Sequence, residues 1–407
     1  MNNWTLEPFG KLADFKNGLN FRAGETGNEL KVLGVGDFKE RTKLDQVTDI
    51  SSIHTEKKID KSYLLQDGDL VFVRSNGNPA LVGRCMQIFT NNEDISFSGF
   101  TIRARLKTDK TTPEFISLLM QGGLLKNILK RDGRGTNISN LNQDILSKLQ
   151  IPIPSIAEQM ELLSVFGCWD NAIEKTEALI SAKEKQFEWL TSNLINRAGH
   201  KRTAASGLMI EVSKRNKNST IERVLSVTNH SGFVLPEEQF ERRVASANVS
   251  NYKVVEQGQY AYNPSRINVG SIARLDDWEN GILSPMYVVF KLDTKKVCSD
   301  YFLHWLNSSE ARQRIKNSAQ GSVRETVSFK DLGAIDIPLP AMDVQKDVTY
   351  KLNLAQKEIR LLKKTLEQYR SQKRGLMQKL LTGEWQVGSS QHLSEETCQE
   401  LSREGVA

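Results

Sequence analysis

The sequence predicts an α+β chain: two mixed α/β globular domains at opposite ends of a long antiparallel two-helix coiled coil, related by a pseudo-two-fold internal repeat. Three observations predict it. The motif "LQIPIPSIAEQ" at 149–159 returns as "IDIPLPAMDVQ" at 335–345, 186 positions later. Each copy opens a long segment with apolar residues at alternating spacings of 4 and 3. At 407 residues the chain exceeds one ordinary core.

The repeat holds in one ungapped register. It pairs Gly135 with Gly321, Pro152 with Pro338, Pro154 with Pro340, Gln159 with Gln345 and Leu194 with Leu380. "PEFISLLM" (113–120) falls on "SDYFLHWL" (299–306). Further upstream the halves diverge but keep their order. "LLQDGDLVFVRSN" (64–76) parallels "VVEQGQYAYNPSR" (254–266), and "SFSGFTIRARLK" (96–107) parallels "ILSPMYVVFKLD" (282–293), each strand-like. The order is therefore globular, helix, globular, helix. The expected boundaries are a first domain at 1–150, a central helix at 151–198, a linker at 199–220, a second domain at 221–336, a C-terminal helix at 337–383 and a polar tail at 384–407, read as disordered.

Proline lacks an N–H and restrains its predecessor, so a helix starts only after "IPIP". Ser155 stands at an N-cap position with Glu158 completing a capping-box pattern; the second copy has Ala341 there, leaving Asp343 to cap. The first helix shows a seam at Leu162, Phe166, Trp169, Ile173, Thr176, Ile180, Lys183, Phe187, Leu190 and Leu194. Adding 186 gives Val348, Leu352, Ala355, Ile359, Leu362, Leu366, Tyr369, Lys373, Leu376 and Leu380, in the same phase. A sustained seven-residue repeat favours a left-handed coiled coil, and a narrow stripe suits a partner helix better than a globular core. Gly199 and Gly383 stand where helices end. Each helix of roughly 42 residues spans about 63 Å. A parallel pair would make the linker retrace that length, and the 23 residues from Ala198 to Thr220 reach roughly 80 Å only when fully extended. An antiparallel pair needs no return, which gives a dumbbell. Independent core helices and homodimerisation through the same seams are the competing readings.

Composition narrows the function. Hydrophobic residues make up 39% and charged ones 26%, as in a soluble globular chain. There is no apolar run long enough for a bilayer, and the N-terminus lacks a signal region. The four cysteines are scattered, with neither a disulfide framework nor a zinc site indicated, so a reducing cytoplasm is the simplest compartment. The net charge is +6, while the last 24 residues hold five acids and one arginine. The basic body suits a polyanion.

Two unlike domains held at a fixed spacing suit duplex DNA, whose readable face recurs every ~34 Å. The target is then bipartite and asymmetric. For phosphates, the basic stretch 126–135 offers Lys126, Lys130, Arg131 and Arg134, with Thr136 beside the glycine turn. The stretch 311–324 offers Arg312, Arg314, Lys316 and Arg324, with Ser322. For base edges, arginine suits guanine and asparagine suits adenine. Arg74, Asn76 and Asn78 in "RSNGNP", and Asn263, Arg266 and Asn268 in "NPSRIN", follow the paired strands. The bland reading of both loops is ordinary turn chemistry.

Catalytic signatures do not appear. "NPSR" lacks the second proline and the aromatic of adenine methyltransferases, "LGVGDF" is an incomplete glycine motif, no P-loop occurs, and the five histidines have no metal or triad spacing.

Taken together, the duplicated "GTNISNLNQDILSKLQIPIPSIAEQ" and "GSVRETVSFKDLGAIDIPLPAMDVQ", the two following helices and the ending "LMQKLLTGEW" resemble the specificity (S) subunit of type I restriction–modification enzymes. The resemblance runs to about residue 385. It implies two target recognition domains, antiparallel spacer helices and no catalysis in this chain. It implies double-stranded DNA, two modification (methyltransferase) subunits and two restriction (translocase/nuclease) subunits as partners, with the methyl donor and ATP/Mg held by those partners. The outer helix residues Glu174, Lys175, Glu177, Arg360 and Lys364 are then candidates for holding the modification subunits. The chain departs from the family at "AMDVQ" and at "FGCWD", where Gly167 costs a helix roughly 1 kcal/mol relative to alanine. The alternatives are a coiled-coil scaffold that binds no DNA, and a DNA-modifying enzyme with an unrecognised site.

Overall fold

The computed structural model describes residues 4–21, 26–38, 41–56, 58–124, 140–196, 199–236, 249–319 and 326–387. They form two compact units, Met1–Lys175 with Leu366–Ala407, and Thr176–Thr365.

In unit 1 a five-stranded sheet runs in the order Ala13–Asn17, Thr101–Leu106, Leu70–Val73, Cys85–Ile88, Lys43–Leu44. Its central strand, Leu70–Val73, is wholly buried, as a continuous apolar run predicts for a strand covered on both faces. One face packs on the helix Pro113–Gln121, with Phe9, Phe72, Ile102 and Phe115 fully buried between them. The other face carries Val71, Val73, Met86 and Ile88 into a second core. A three-stranded sheet, Ser52–Thr55, Asn28–Leu33 and Ile95–Phe97, completes the domain.

Unit 2 repeats the plan. Its four-stranded sheet runs Met209–Glu211, Val288–Leu292, Tyr260–Tyr262, Ile272–Arg274, the same order of equivalent strands as the first four above. Tyr260, Tyr262, Phe290 and Phe302 are fully buried, with rings 5.2–6.4 Å apart. A hairpin, Ser226–Thr228 with Gly232–Val234, and a pair, Lys253–Glu256 with Asn280–Leu283, frame a separate core around Leu225, Phe233 and Leu283.

The stretch 199–220, expected as a linker, is built into unit 2. Arg202–Ala204 pairs antiparallel with Asp336–Pro338, and Met209–Glu211 joins the sheet edge. Thr5–Pro8 pairs with Gln150–Ile153 in unit 1 in the same way. The first proline of each repeated joint, Pro152 and Pro338, thus lies in a two-stranded ribbon, where a missing N–H costs least. Cys85 and Cys298 are free thiols.

The long helices span Ile156–Ile195 (40 residues) and Met342–Leu380 (39 residues). Every seam residue of both is buried or half-buried, and Glu174, Lys175, Glu177, Arg360 and Lys364 are exposed. Gly199 and Gly383 take left-handed backbone at φ +99° and +69°, which favours glycine. Within unit 1, early residues of the first helix meet late residues of the second: the rings of Trp169 and Tyr369 lie 5.8 Å apart, and Asp170 pairs with Lys373. Within unit 2, Lys183 pairs with Glu358 and Glu184 with Lys363, each at 2.7 Å. The seam does more than join helices. Leu162 and Phe166 enter the unit 1 core beside Phe115, Met377 and Leu380; Val348 and Leu352 enter the unit 2 core beside Trp305 and Phe187. The stripe therefore also docks each helix on its globular domain.

The repeated glutamine explains the joint. Gln159 is fully buried; its Nε2 donates to the Lys110 carbonyl (2.8 Å) and the Pro154 carbonyl (3.0 Å), and its Oε1 accepts from the Thr111 hydroxyl (3.0 Å). Gln345 donates to the Lys296 (3.3 Å) and Pro340 (2.9 Å) carbonyls and accepts from the Cys298 N–H (2.8 Å). One side chain closes the first helical turn and ties it to the loop before the domain helix. The capping box is only half formed: the Glu158 N–H reaches the Ser155 hydroxyl at 3.3 Å, but the Glu158 carboxylate accepts from the Trp4 indole. Asp343 lies inside the first turn of its helix rather than at its cap.

Candidate nucleic-acid interface

The paired reader loops occupy equivalent places. Residues 74–84 connect the buried strand Leu70–Val73 to Cys85–Ile88, with a 3₁₀ turn at Pro79–Leu81. Residues 263–271 connect Tyr260–Tyr262 to Ile272–Arg274, with a 3₁₀ turn at Ile267–Val269. Each is a loop held by two rigid neighbouring strands.

Much of the asparagine chemistry in these loops is local. The Asn76 carboxamide oxygen accepts from the Asn78 N–H (2.8 Å), and that of Asn78 accepts from the Ala80 N–H (3.0 Å), capping the 3₁₀ turn. Asn263 is buried; it accepts from the Ser265 N–H (3.0 Å) and its amide nitrogen lies 3.9 Å from the Met286 sulfur. These three side chains shape their loops, as turn chemistry predicts. Arg74 is half-buried and donates to the Gly99 carbonyl at 3.3 Å. Arg266 is exposed and Asn268 half-exposed.

Of the phosphate candidates, Lys126, Lys130, Arg131, Arg134, Thr136, Ser322 and Arg324 lie outside the described residues. Arg312, Arg314 and Lys316 stand on the helix Ser309–Ala319. Arg312 donates to the Asn307 carbonyl (2.7 Å), and Arg314 pairs with Glu310 (2.7 Å), which Arg202 also reaches. Arg312 and Lys316 are exposed, so they are the better placed cations of the three.

Unit 2 also carries several buried or half-buried titratable groups. Burial works against the charge of Arg274, yet Asp276 and Asp300 at 2.6 and 2.5 Å hold its guanidinium protonated above the ordinary arginine value. Burial pushes the Tyr262 phenol up, with Glu211 and Asp331 acting in the same sense, and the Tyr262 hydroxyl has no hydrogen-bond partner among the described residues. His304, buried against the Phe187 ring, shares a 2.7 Å hydrogen bond with Asn353, and burial holds its imidazole below the ordinary histidine value. Among the described residues no group of three or more His, Cys, Asp or Glu stands ready to hold a metal, and no helix is long and apolar enough to cross a membrane.

Sequence reasoning missed one feature. In unit 1 a cavity of about 490 Å³ is lined by Arg41, Arg84, Arg370, Lys373 and Arg374, with no acidic residue in its wall. These cations come from three distant stretches, and no local motif marks them.

Two mixed-sheet domains on one plan, each fused to a long helix through the same glutamine lock, define a duplicated sheet-and-helix architecture. Residues 3–182 match the family model described as "Type I restriction modification DNA specificity domain". The StySPI specificity subunit of Salmonella potsdam is 29% identical over 188 residues, covering 45% of this chain and 38% of that subunit. The putative MjaX specificity subunit of Methanocaldococcus jannaschii is 26% identical over 374 residues, covering 85% and 84%. Two solved structures share the fold. One is a chain from work on complex assembly and conformational transition of the type I R-M system, with a TM-score of 0.60 and 13% identity. The other is the S subunit of the type I system of M. genitalium, with a TM-score of 0.51 and 15% identity. Each match covers 93% of this chain and 97% of the other. Over these spans the chain is similar to type I restriction–modification DNA specificity subunits.

Proposed function

We propose that this chain reads a bipartite, asymmetric DNA target, one half with each globular domain, as a non-catalytic subunit of a cytoplasmic type I complex. The observation that carries this is the duplicated sheet with a loop and 3₁₀ turn after the same central strand, bearing different side chains in the two units. Different loops on one scaffold give different half-sites. Arg74, Arg266 and Asn268 are the base readers, because their donors are the least committed within the loops. Asn76, Asn78 and Asn263 hold the loops in shape. Arg312 and Lys316 contact phosphates.

The two long helices act as an antiparallel spacer between the half-sites. Support comes from the matched seams and, within unit 1, from Leu162 and Phe166 sharing a core with Met377 and Leu380 while the later Trp169 meets the earlier Tyr369. Two modification subunits dock on the exposed outer faces around Glu174, Lys175, Glu177, Arg360 and Lys364. They supply the methyl donor site, and two restriction subunits supply the ATP- and Mg-dependent steps.

Methylation-sensitive sequencing of a host carrying the reconstituted complex tests the reading. The expected result is one methylated adenine in each half of a gapped site. Exchanging residues 221–336 for those of another specificity subunit changes one half and leaves the other. A site that stays whole after the exchange, or no protected sequence at all, defeats the proposal.

A further inference from the structure

The five cations lining the unit 1 cavity are too many for the fold's own needs. Arg41 pairs with Asp49, Arg370 with Glu367, and Lys373 with Asp170. The side chains of Arg84 and Arg374 make no hydrogen bond or ion pair with any described residue. Gathering like charges on one wall is unfavourable unless an anion offsets it. The cavity floor adds Thr42 and Gln121 as polar neighbours, with Met120, Ile173 and Met377 as its apolar part. Its volume, about 490 Å³, falls in the range that holds small ligands.

The joint itself does not require this charge. The register positions equivalent to Arg370, Lys373 and Arg374 in the other long helix are Glu184, Phe187 and Glu188. The same helix–domain junction is thus built in unit 2 without a basic wall. Basic residues in unit 1 are there for something other than holding the helix to the sheet.

We propose that the cleft between the 41–42 and 83–85 segments and the second long helix is a phosphate-binding site, with Arg84 and Arg374 as its direct ligands. Guanidinium forks match the oxygen geometry of phosphoryl groups. The phosphoryl group comes either from a free polyphosphate or from a DNA phosphodiester. The site is independent of which bases the chain reads, so it stands or falls apart from the specificity assignment.

The test uses the full chain and the double variant Arg84→Gln/Arg374→Gln. A control, Lys217→Gln/Lys295→Gln, removes the same charge from exposed positions of unit 2. Neither arginine supports another side chain, so near-UV circular dichroism and the melting temperature should match the parent. The charge-keeping Arg84→Lys/Arg374→Lys variant guards against a packing artefact.

Calorimetric titration with pyrophosphate is expected to weaken at least tenfold in the glutamine double variant, to recover partly in the lysine variant, and to stay unchanged in the control. Titration with a nonspecific duplex across a range of salt identifies the source. If the ligand is DNA backbone, the slope of log K against log salt falls by about 1.8 in the glutamine variant, since each phosphate contact contributes about 0.9. If the ligand is a free polyphosphate, that slope matches the control. Pyrophosphate affinity and salt slope both indistinguishable from the control overturn the proposal. So does binding of a glutamate-rich peptide in preference to pyrophosphate.

Discussion

The two units carry the same joint but finish it differently. Both lock the helix with a buried glutamine and bury seam residues at matching positions, Phe166 in unit 1 and Leu352 in unit 2. Around that shared frame the details diverge. Unit 1 joins its helices with the Trp169–Tyr369 ring contact; the register positions in unit 2 are Ala355 and Lys183, and an ion pair with Glu358 stands there instead. Unit 1 has Leu118 where unit 2 has the buried His304. The lesson is that the geometry of attachment is fixed by a few interior groups, and everything beyond them is free to differ. That freedom is what the proposed reading of two different half-sites requires.

The largest test removes the seam anchors. Phe166→Ala should cost roughly 3–5 kcal/mol and Leu352→Ala about 2–5 kcal/mol by chemical denaturation. If only one of the two variants loses stability on that scale, the joints are not equivalent. Gln159→Leu and Gln345→Leu each strand two carbonyls and the group that donated to the glutamine oxygen, at about 2–3 kcal/mol. Equal losses are expected, and a neutral result for either would separate the two joints.

The histidine difference gives a pH test. The buried His304 imidazole is held below the ordinary histidine value, first by loss of solvent, with the Asn353 hydrogen bond opposing. The folded state therefore binds its proton more weakly than the unfolded state. The neutral form's contribution is complete above about pH 6.5 and is lost as pH falls from there toward the folded value. His304→Gln should flatten stability against pH over that window. Since unit 1 has leucine at this position, the change should appear in hydrogen exchange of unit 2 alone.

Smaller effects sharpen the helix contrast. A double-mutant cycle on Trp169 and Tyr369 should give a coupling of about 0.5–1.5 kcal/mol. The same cycle on Lys183 and Glu358 should give about 0.2–1 kcal/mol and fade in high salt, because the pair is partly exposed. Salt sensitivity in the aromatic cycle, or its absence in the charged one, would reverse the assignment of the two contacts.

Residues 74–81 show how far a local reading reaches. Arg-Ser-Asn-Gly-Asn-Pro announces a turn, and a turn forms, with Asn78 capping its 3₁₀ segment. Which of its side chains stay free for a ligand depends on hydrogen bonds that composition does not reveal. Asn76 and Asn78 are spent, and Arg74 is half spent on Gly99. Residues 199–220 show the opposite failure. Their basic, polar character reads as a linker, but short strands on sheet edges need few apolar residues, and here Met209 and Ala205 suffice.

By itself the sequence determined the duplication, the extent and phase of both long helices and the glycines that end them. These are written in spacing and order, which local backbone geometry converts directly into structure. Only the tertiary structure decided that the two glutamines lock helices to domains, that the seam also docks each helix on a sheet, and that Arg41, Arg84, Arg370, Lys373 and Arg374 share one wall. Those outcomes join residues far apart in the chain. Their meeting is set by which sheet edge and which helix turn pack together, and no periodicity encodes it.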